Sequence, residues 1–210
     1  MRKMKNKKIL VKSLLLGSFL LIIFSIVGIY FSDRYEQVKI NNADEMNVRH
    51  FIESVNKKDV KDNNKDINET KEEYIAVITI PKINLSKPLA PLSSKLNNVD
   101  RNIEILKGSS MPSIHGGNLI LASHSGSSKI SHFKNLHKLS EKDKVYIYYN
   151  NMTFTYKVFK IYKTKKNGEL QITRDKDKNI LTLTTCDINS DTKQLVILSE
   201  LIDVKEGYGF

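Results

Sequence analysis

The chain has 210 residues, a net charge of +11, one cysteine and no tryptophan. A single thiol excludes an internal disulfide and is too few for a thiolate zinc centre. The basic excess comes with no nucleic-acid motif and no patterned aromatics, so it reads as a solvated lysine-rich surface or as a match for anionic lipid or wall polymer, with no nucleic-acid partner expected.

Residues 1–12 hold Arg2, Lys3, Lys5, Lys7, Lys8 and Lys12 and no acid, and form a basic cytoplasmic tail. Residues 13–31 carry no charge and are dominated by Leu, Ile, Phe, Val and Gly. As a helix they would extend about 28 Å, enough to span a hydrocarbon core. The basic flank keeps the amino terminus cytoplasmic and puts the rest of the chain outside the cell membrane. A cleavable signal peptide is the rival reading, but its apolar region is normally shorter and ends in an A-x-A-like site. The sequence here reads Tyr30-Phe31-Ser32-Asp33-Arg34-Tyr35. The expectation is therefore an uncleaved, single-pass transmembrane anchor.

Residues 32–73 are rich in Asn, Lys, Asp and Glu. The part from Asn56 to Glu73 cannot bury enough surface to offset its ordering entropy. This stretch is expected to be a polar stalk, with a short helix around Asn47–Val55. From Tyr74 the texture changes, and residues 74–210 read as one folded domain. Tyr74–Ile80 is a strand broken by Pro81. Ile83–Leu92 is extended but holds Pro88 and Pro91, so it is irregular or an edge. Asn97–Leu106 and Lys129–Leu139 can each form a short helix. Asn118–Ser123 is a strand entered through Gly116-Gly117. Lys144–Tyr149 and Thr153–Tyr162 face each other across Asn150-Asn151-Met152, a hairpin signal. Ile180–Cys186 and Gln194–Ile202 make a second pair. Seven or eight strands with little helix indicate a mostly β fold, a barrel or a sandwich.

Cys186 ends the run Ile180-Leu181-Thr182-Leu183-Thr184-Thr185, all good strand formers, and a polar turn follows. It is either an inert buried hydrophobe or a nucleophile presented where a rigid strand meets a loop. A nucleophile needs a proton partner. His50 lies in the stalk, His115 in a loop, and His132 and His137 in the expected helix. His124 stands apart because it directly follows the strand Asn118–Ser123 and opens the loop Ser125-Gly126-Ser127-Ser128. Two strand ends can bring an imidazole and a thiol to one rim of a barrel.

These residues resemble the sortase family. Thr182-Leu183-Thr184-Thr185-Cys186 matches the sortase TLxTC signature, and Ala122-Ser123-His124 stands where sortases carry a strand-ending Gly-His or Ser-His. Phe133-Lys134-Asn135-Leu136, then Leu139 and Asp143-Lys144-Val145, look like the F-x-x-L…GD-x-[VI] stretch, and Ile80-Pro81-Lys82-Ile83 is similar near the domain start. The resemblance implies a closed eight-stranded β-barrel with one or two short helices, preceded by a transmembrane helix. It implies a cysteine transpeptidase that cuts an LPxTG-like sorting signal and joins the acyl fragment to a peptidoglycan precursor amine through a Cys186 thioester. His124 would handle protons. Sorting-signal-bearing surface proteins and the cytoplasmic membrane would be its partners, and no cofactor or metal is expected.

One departure stands out. Sortases place an Arg on the strand after the Cys, just ahead of an apolar run. Here Gln194 fills that place before Leu195-Val196-Ile197, with Lys193 beside it. Gln194, Lys193 and Thr185 are therefore the candidates for holding the oxyanion or positioning the substrate. Arg174, in the polar loop before Cys186, reads as a solvated charge. No Asp-Pro-aromatic lid motif precedes the domain, so a compact, single-anchor enzyme is expected. Two alternatives remain: a simple cysteine peptidase that gives the acyl group to water, and a non-catalytic module that holds a sorting signal or wall polymer.

Overall fold

The computed structural model describes residues 17–32, 35, 45–54, 74–167 and 178–209. The chain divides into two compact units, Met1–Ala43 and Asp44–Phe210. In the first, residues 17–32 form helix α1, and every one of these residues is exposed, Phe24 and Leu21 most of all. This segment is about 24 Å long. Among the described residues no helix is long and apolar enough to cross a membrane. The expected span starts at residue 13, and residues 1–16 lie outside the described part.

The second unit is built on eight strands: β1 (Ala76–Ile80), β2 (Leu85–Leu89), β3 (Glu104–Ile105), β4 (Gly117–Ala122), β5 (Lys144–Tyr149), β6 (Met152–Lys165), β7 (Asn179–Cys186) and β8 (Lys193–Glu206). They form one sheet in the order β2-β1-β5-β6-β8-β7-β4-β3. The expected hairpin is β5–β6, turned by Asn150 and Asn151, both at positive φ. Asparagine tolerates that conformation, and such a two-residue turn matches the twist of the flanking strands. Gly117 opens β4 at φ +139, where an added Cβ would stand 2.9 Å from the Ser110 Cβ. Only glycine allows that approach.

The barrel is nearly closed, whereas a fully closed one was expected. Strands β2 and β3 remain as edges. Pro88 in β2 has no N–H to give a ladder, and β3 is only two residues long. A side chain spans the gap instead: the buried Asn102 Nδ2 donates to the Pro88 carbonyl at 3.0 Å. The helix expected over 97–106 does not form, whereas the stretch 129–139 does hold a short helix. The first stretch is a turn followed by β3, and the second contains a single 3-10 turn, Leu136–Lys138. Phe133 and Leu136 of that segment are fully buried all the same.

The core lies inside the sheet and takes alternate residues of each strand, among them Ile78 and Ile80, Leu119 and Leu121, Leu181 and Leu183, and Leu195 and Ile197. A second cluster sits against β1 and β5. Residues 45–54 form helix α2, close to the span expected from sequence. Its Val48, Phe51 and Ile52, spaced for one helical face, pack with Val77, Tyr148 and Tyr208. Tyr148 is held edge-on by Phe51 and Tyr208, with ring centroids 6.4 Å and 5.2 Å away. The rest of the expected stalk, residues 33–34, 36–44 and 55–73, lies outside the described part. Phe51→Ala should lower the unfolding free energy by about 2 kcal/mol in urea titration, since Phe51 is only partly buried, and should leave catalysis unchanged.

Candidate active site

Strand β7 lies between β4 and β8, and both neighbours bring a polar side chain to the level of Cys186. On one side β7 and β8 are antiparallel, and Cys186 is directly opposite Gln194. Directly opposed residues project to the same face of a sheet. On the other side β4 and β7 are parallel, with Leu121 beside Leu183 and Ala122 beside Thr184. Two more residues along that register set His124 level with Cys186. Leu181, Leu183, Leu121, Leu195 and Ile197 belong to the core. Alternation therefore turns Cys186, His124 and Gln194 to the opposite face of the sheet, together, with the thiol in the middle.

Two contacts carry the parallel register past the end of β4. The Ser123 N–H donates to the Thr184 carbonyl at 3.4 Å, and the Thr185 hydroxyl donates to the Ser123 carbonyl at 2.6 Å. Thr185 is buried, so its hydroxyl is committed to tying Ser123 next to the thiol. On the far side of His124, its carbonyl accepts the Phe133 N–H at 3.0 Å. Lys193 is exposed and lies on the face opposite Gln194; its carbonyl accepts the Asp187 N–H at 3.0 Å. Gln194 is half-buried. Arg174 lies outside the described residues, as do Asp175 and Asp177.

Cys186 is half-buried, and the residue borders a hollow of about 260 Å³ that Phe133, His137, Lys163 and Leu195 also line. A shallower one of about 400 Å³ adjoins it, sharing Ser125 and Ile188 and adding Lys134 and Asn135. Asp187, the residue after the thiol, is paired with Lys163 of β6 at 2.9 Å. That hydrogen bond holds the Asp187 carboxyl below the usual carboxylate range. The negative charge next to Cys186 thus has its own counter-ion. His124 Nε2 lies 3.0 Å from Asp100 Oδ1. His132 is a different kind of group. Burial, and then the charge of Lys87, push its pKa down to about 4, and its Nε2 is buried without a hydrogen-bond partner among the described residues. It is neutral at physiological pH. Among the described residues no cluster of His, Cys, Asp or Glu is placed to hold a metal ion.

A half-buried thiol at a strand end, an imidazole in parallel register beside it and a hydrogen-bond donor in antiparallel register on the other side suit acyl transfer through a thioester. Comparison with known proteins points the same way. The family model for the sortase domain matches residues 78–202. The chain belongs to the sortase family. A curated relative, sortase A of Bacillus anthracis, is 26% identical over 136 residues, which cover 64% of this chain and 63% of that protein. The chain therefore spans less than two thirds of that relative. Among solved structures, sortase C1 of Streptococcus agalactiae is similar with 28% identity and a TM-score of 0.55, over 67% of this chain and 73% of that one. A lid mutant of sortase A from Corynebacterium diphtheriae is 25% identical with a TM-score of 0.57, over 64% and 73%. The family is one of cell-wall transpeptidases.

Three residues at this sortase site carried no signal in the sequence. Lys163 sits mid-strand among other lysines. His137 is exposed and helical, as the sequence implied, and it also lines the hollow beside Cys186. Asp100 is 24 residues from His124 in sequence, in a stretch read as helix. Only the folded arrangement brings each to the site. His132 gives a pH signature. The unfolded chain takes up a proton near pH 6.5, while the folded imidazole resists until about pH 4. Stability is therefore lost as pH falls through this window. In urea titrations, His132→Leu should show a smaller drop in midpoint between pH 7 and pH 5 than the wild-type protein.

Proposed function

We propose that this sortase is a membrane-anchored cysteine transpeptidase that cleaves an LPxTG-like sorting signal and joins the acyl fragment to a cell-wall amine. The observation that carries this reading is the order β8-β7-β4, with Gln194 opposite Cys186 and the β4 register, extended two residues past Ala122, bringing His124 level with the thiol. The Cys186 thiolate attacks the carbonyl carbon of the signal's Thr. The resulting oxyanion is held by backbone N–H groups and by the neutral Gln194 amide, in the place where the family carries an Arg. Collapse of the intermediate breaks the Thr–Gly bond, and His124 gives a proton to the leaving amine. The amine of a peptidoglycan precursor then attacks the thioester and gives its proton to His124. The new amide forms and the thiolate leaves.

Residues 13–31 serve as the anchor, with the basic residues 1–12 on the cytoplasmic side and the catalytic domain outside. Helix α1 supports this, because its apolar residues are exposed on all sides and need an apolar surrounding. Residues 55–73 then act as a polar linker. Surface proteins that bear the sorting signal are the donor substrates.

The direct test incubates the protein with an LPxTG-like peptide library, with and without an amine acceptor, and follows products by mass spectrometry. A Cys186 thioester and an amine-dependent amide product are expected. Hydrolysis that ignores the amine identifies a peptidase; binding without any adduct identifies a non-catalytic module. Cys186→Ala should abolish turnover in a folded protein. His124→Ala should be nearly as severe, while His137→Ala and His132→Ala keep most activity. If His137→Ala is the dead variant, the register argument for His124 fails.

Gln194→Ala should reduce kcat/KM about a hundred- to a thousandfold, the usual effect of a lost oxyanion donor. Lys193→Ala should be close to neutral, because its side chain leaves the opposite face. Equal and negligible effects of both changes would leave oxyanion binding to the backbone alone.

A further inference from the structure

We infer that Asp100 is the positioning residue of His124, holding its imidazole so that Nδ1 serves the reaction. The inference rests on the transpeptidase reading and adds a third side chain to the Cys186–His124 pair. Asp100 Oδ1 lies 3.0 Å from His124 Nε2. An ionised carboxylate only accepts hydrogen bonds, so Nε2 carries the proton and donates it. Nδ1 has no protein partner among the described residues. It is the nitrogen left free to exchange a proton with the thiol, the leaving amine or the incoming amine. A base whose ring is fixed by a third group needs no search for its orientation at each proton transfer.

The pair is exposed, with side-chain exposures of 40% and 74%, and an exposed ion pair by itself is weak. What distinguishes this one is how the backbone of Asp100 is held. Its own N–H donates to the Asn98 side chain at 2.8 Å, and the Arg101 and Asn102 N–H groups donate to the Asn98 carbonyl at 3.0 Å and 2.8 Å. The Val99 N–H is capped by the Glu104 carboxylate at 3.2 Å. Buried Asn102 then fastens the turn to β2 through the Pro88 carbonyl at 3.0 Å. His124 is fixed with equal care, through Ser123 on one side and Phe133 on the other. Two rigid backbones therefore meet at this contact. The entropy usually lost in forming a surface pair has largely been met by the fold.

The test uses the full chain in detergent micelles with Asp100→Ala and Asp100→Asn, the second keeping an acceptor but losing the charge. Asp100→Ala is expected to lower kcat about tenfold with KM within twofold, and Asp100→Asn about threefold, both with unchanged thermal melts. Nitrogen-15 NMR of the imidazole, which needs no turnover, is the second arm. The wild-type His124 should show a dominant Nε2–H tautomer, and Asp100→Ala a mixture of tautomers. Unchanged kcat or an unchanged tautomer overturns the inference. So does a rise in kcat, which would make Asp100 a latch, and so does a rise in KM alone, which would make it a substrate contact. If the wild-type chain turns over no peptide, the transpeptidase reading falls, while the tautomer comparison still decides whether Asp100 holds the imidazole.

Discussion

The parallel pairing of β4 with β7 is the constraint on which the site depends. Cys186 is the last residue of β7, and His124 lies two residues past the end of β4. The ladder fixes Ala122 beside Thr184, and the Thr185–Ser123 hydrogen bond carries the register over the last two residues. A slip of one residue would turn His124 to the core face and leave the thiol without a proton partner. The same slip would expose Leu119 and Leu121, which are almost fully buried. Hydrophobic burial therefore guards the geometry of the proposed site, because any register that breaks it also breaks the core.

The antiparallel β7–β8 pair does the same work on the other side. It places Gln194 opposite Cys186 and sends Lys193 away. A glutamine there changes the electrostatics of the family's arrangement. In the proposed mechanism it donates through a neutral amide and carries no charge to the oxyanion. The charges close to the thiol are arranged around that neutral position. Lys163 is paired with Asp187. Asp100 adds a carboxylate on the His124 side.

Helix α2 shows how the region before the domain joins it. Its apolar stripe covers Val77 and Tyr148 on β1 and β5, away from the residues of the site. The chain that precedes the barrel is thus partly folded onto it, although its composition is polar. Three well-spaced apolar residues are enough for this, because Tyr148 offers a flat aromatic surface already flanked by Tyr208.

Much of this was written in local sequence. Strand runs such as Ile180–Cys186 and Lys144–Tyr149, the Asn150-Asn151 turn and helix α2 all follow from periodicity and turn chemistry, which act over a few residues. Cys186 and His124 became candidates because each stands at or just past a strand end, and Gln194 because of the place it takes in the sortase pattern. The misreadings were also local. Residues 97–106 have helix-compatible composition, but Asn97, Asn98 and Asn102 spend their side chains on backbone groups of β3, of a turn and of β2. The closed barrel failed at Pro88 and at the short β3. What the tertiary structure alone decided is everything that depends on distant segments meeting. The β4–β7 pairing joins residues about sixty positions apart, and Asp100, His137 and Lys163 reach the site from three other elements. A sequence fixes which residues can end a strand or cap a turn, because those are short-range energies. Which strand ends meet is set by the burial of the whole core, and that is a property of all the strands at once.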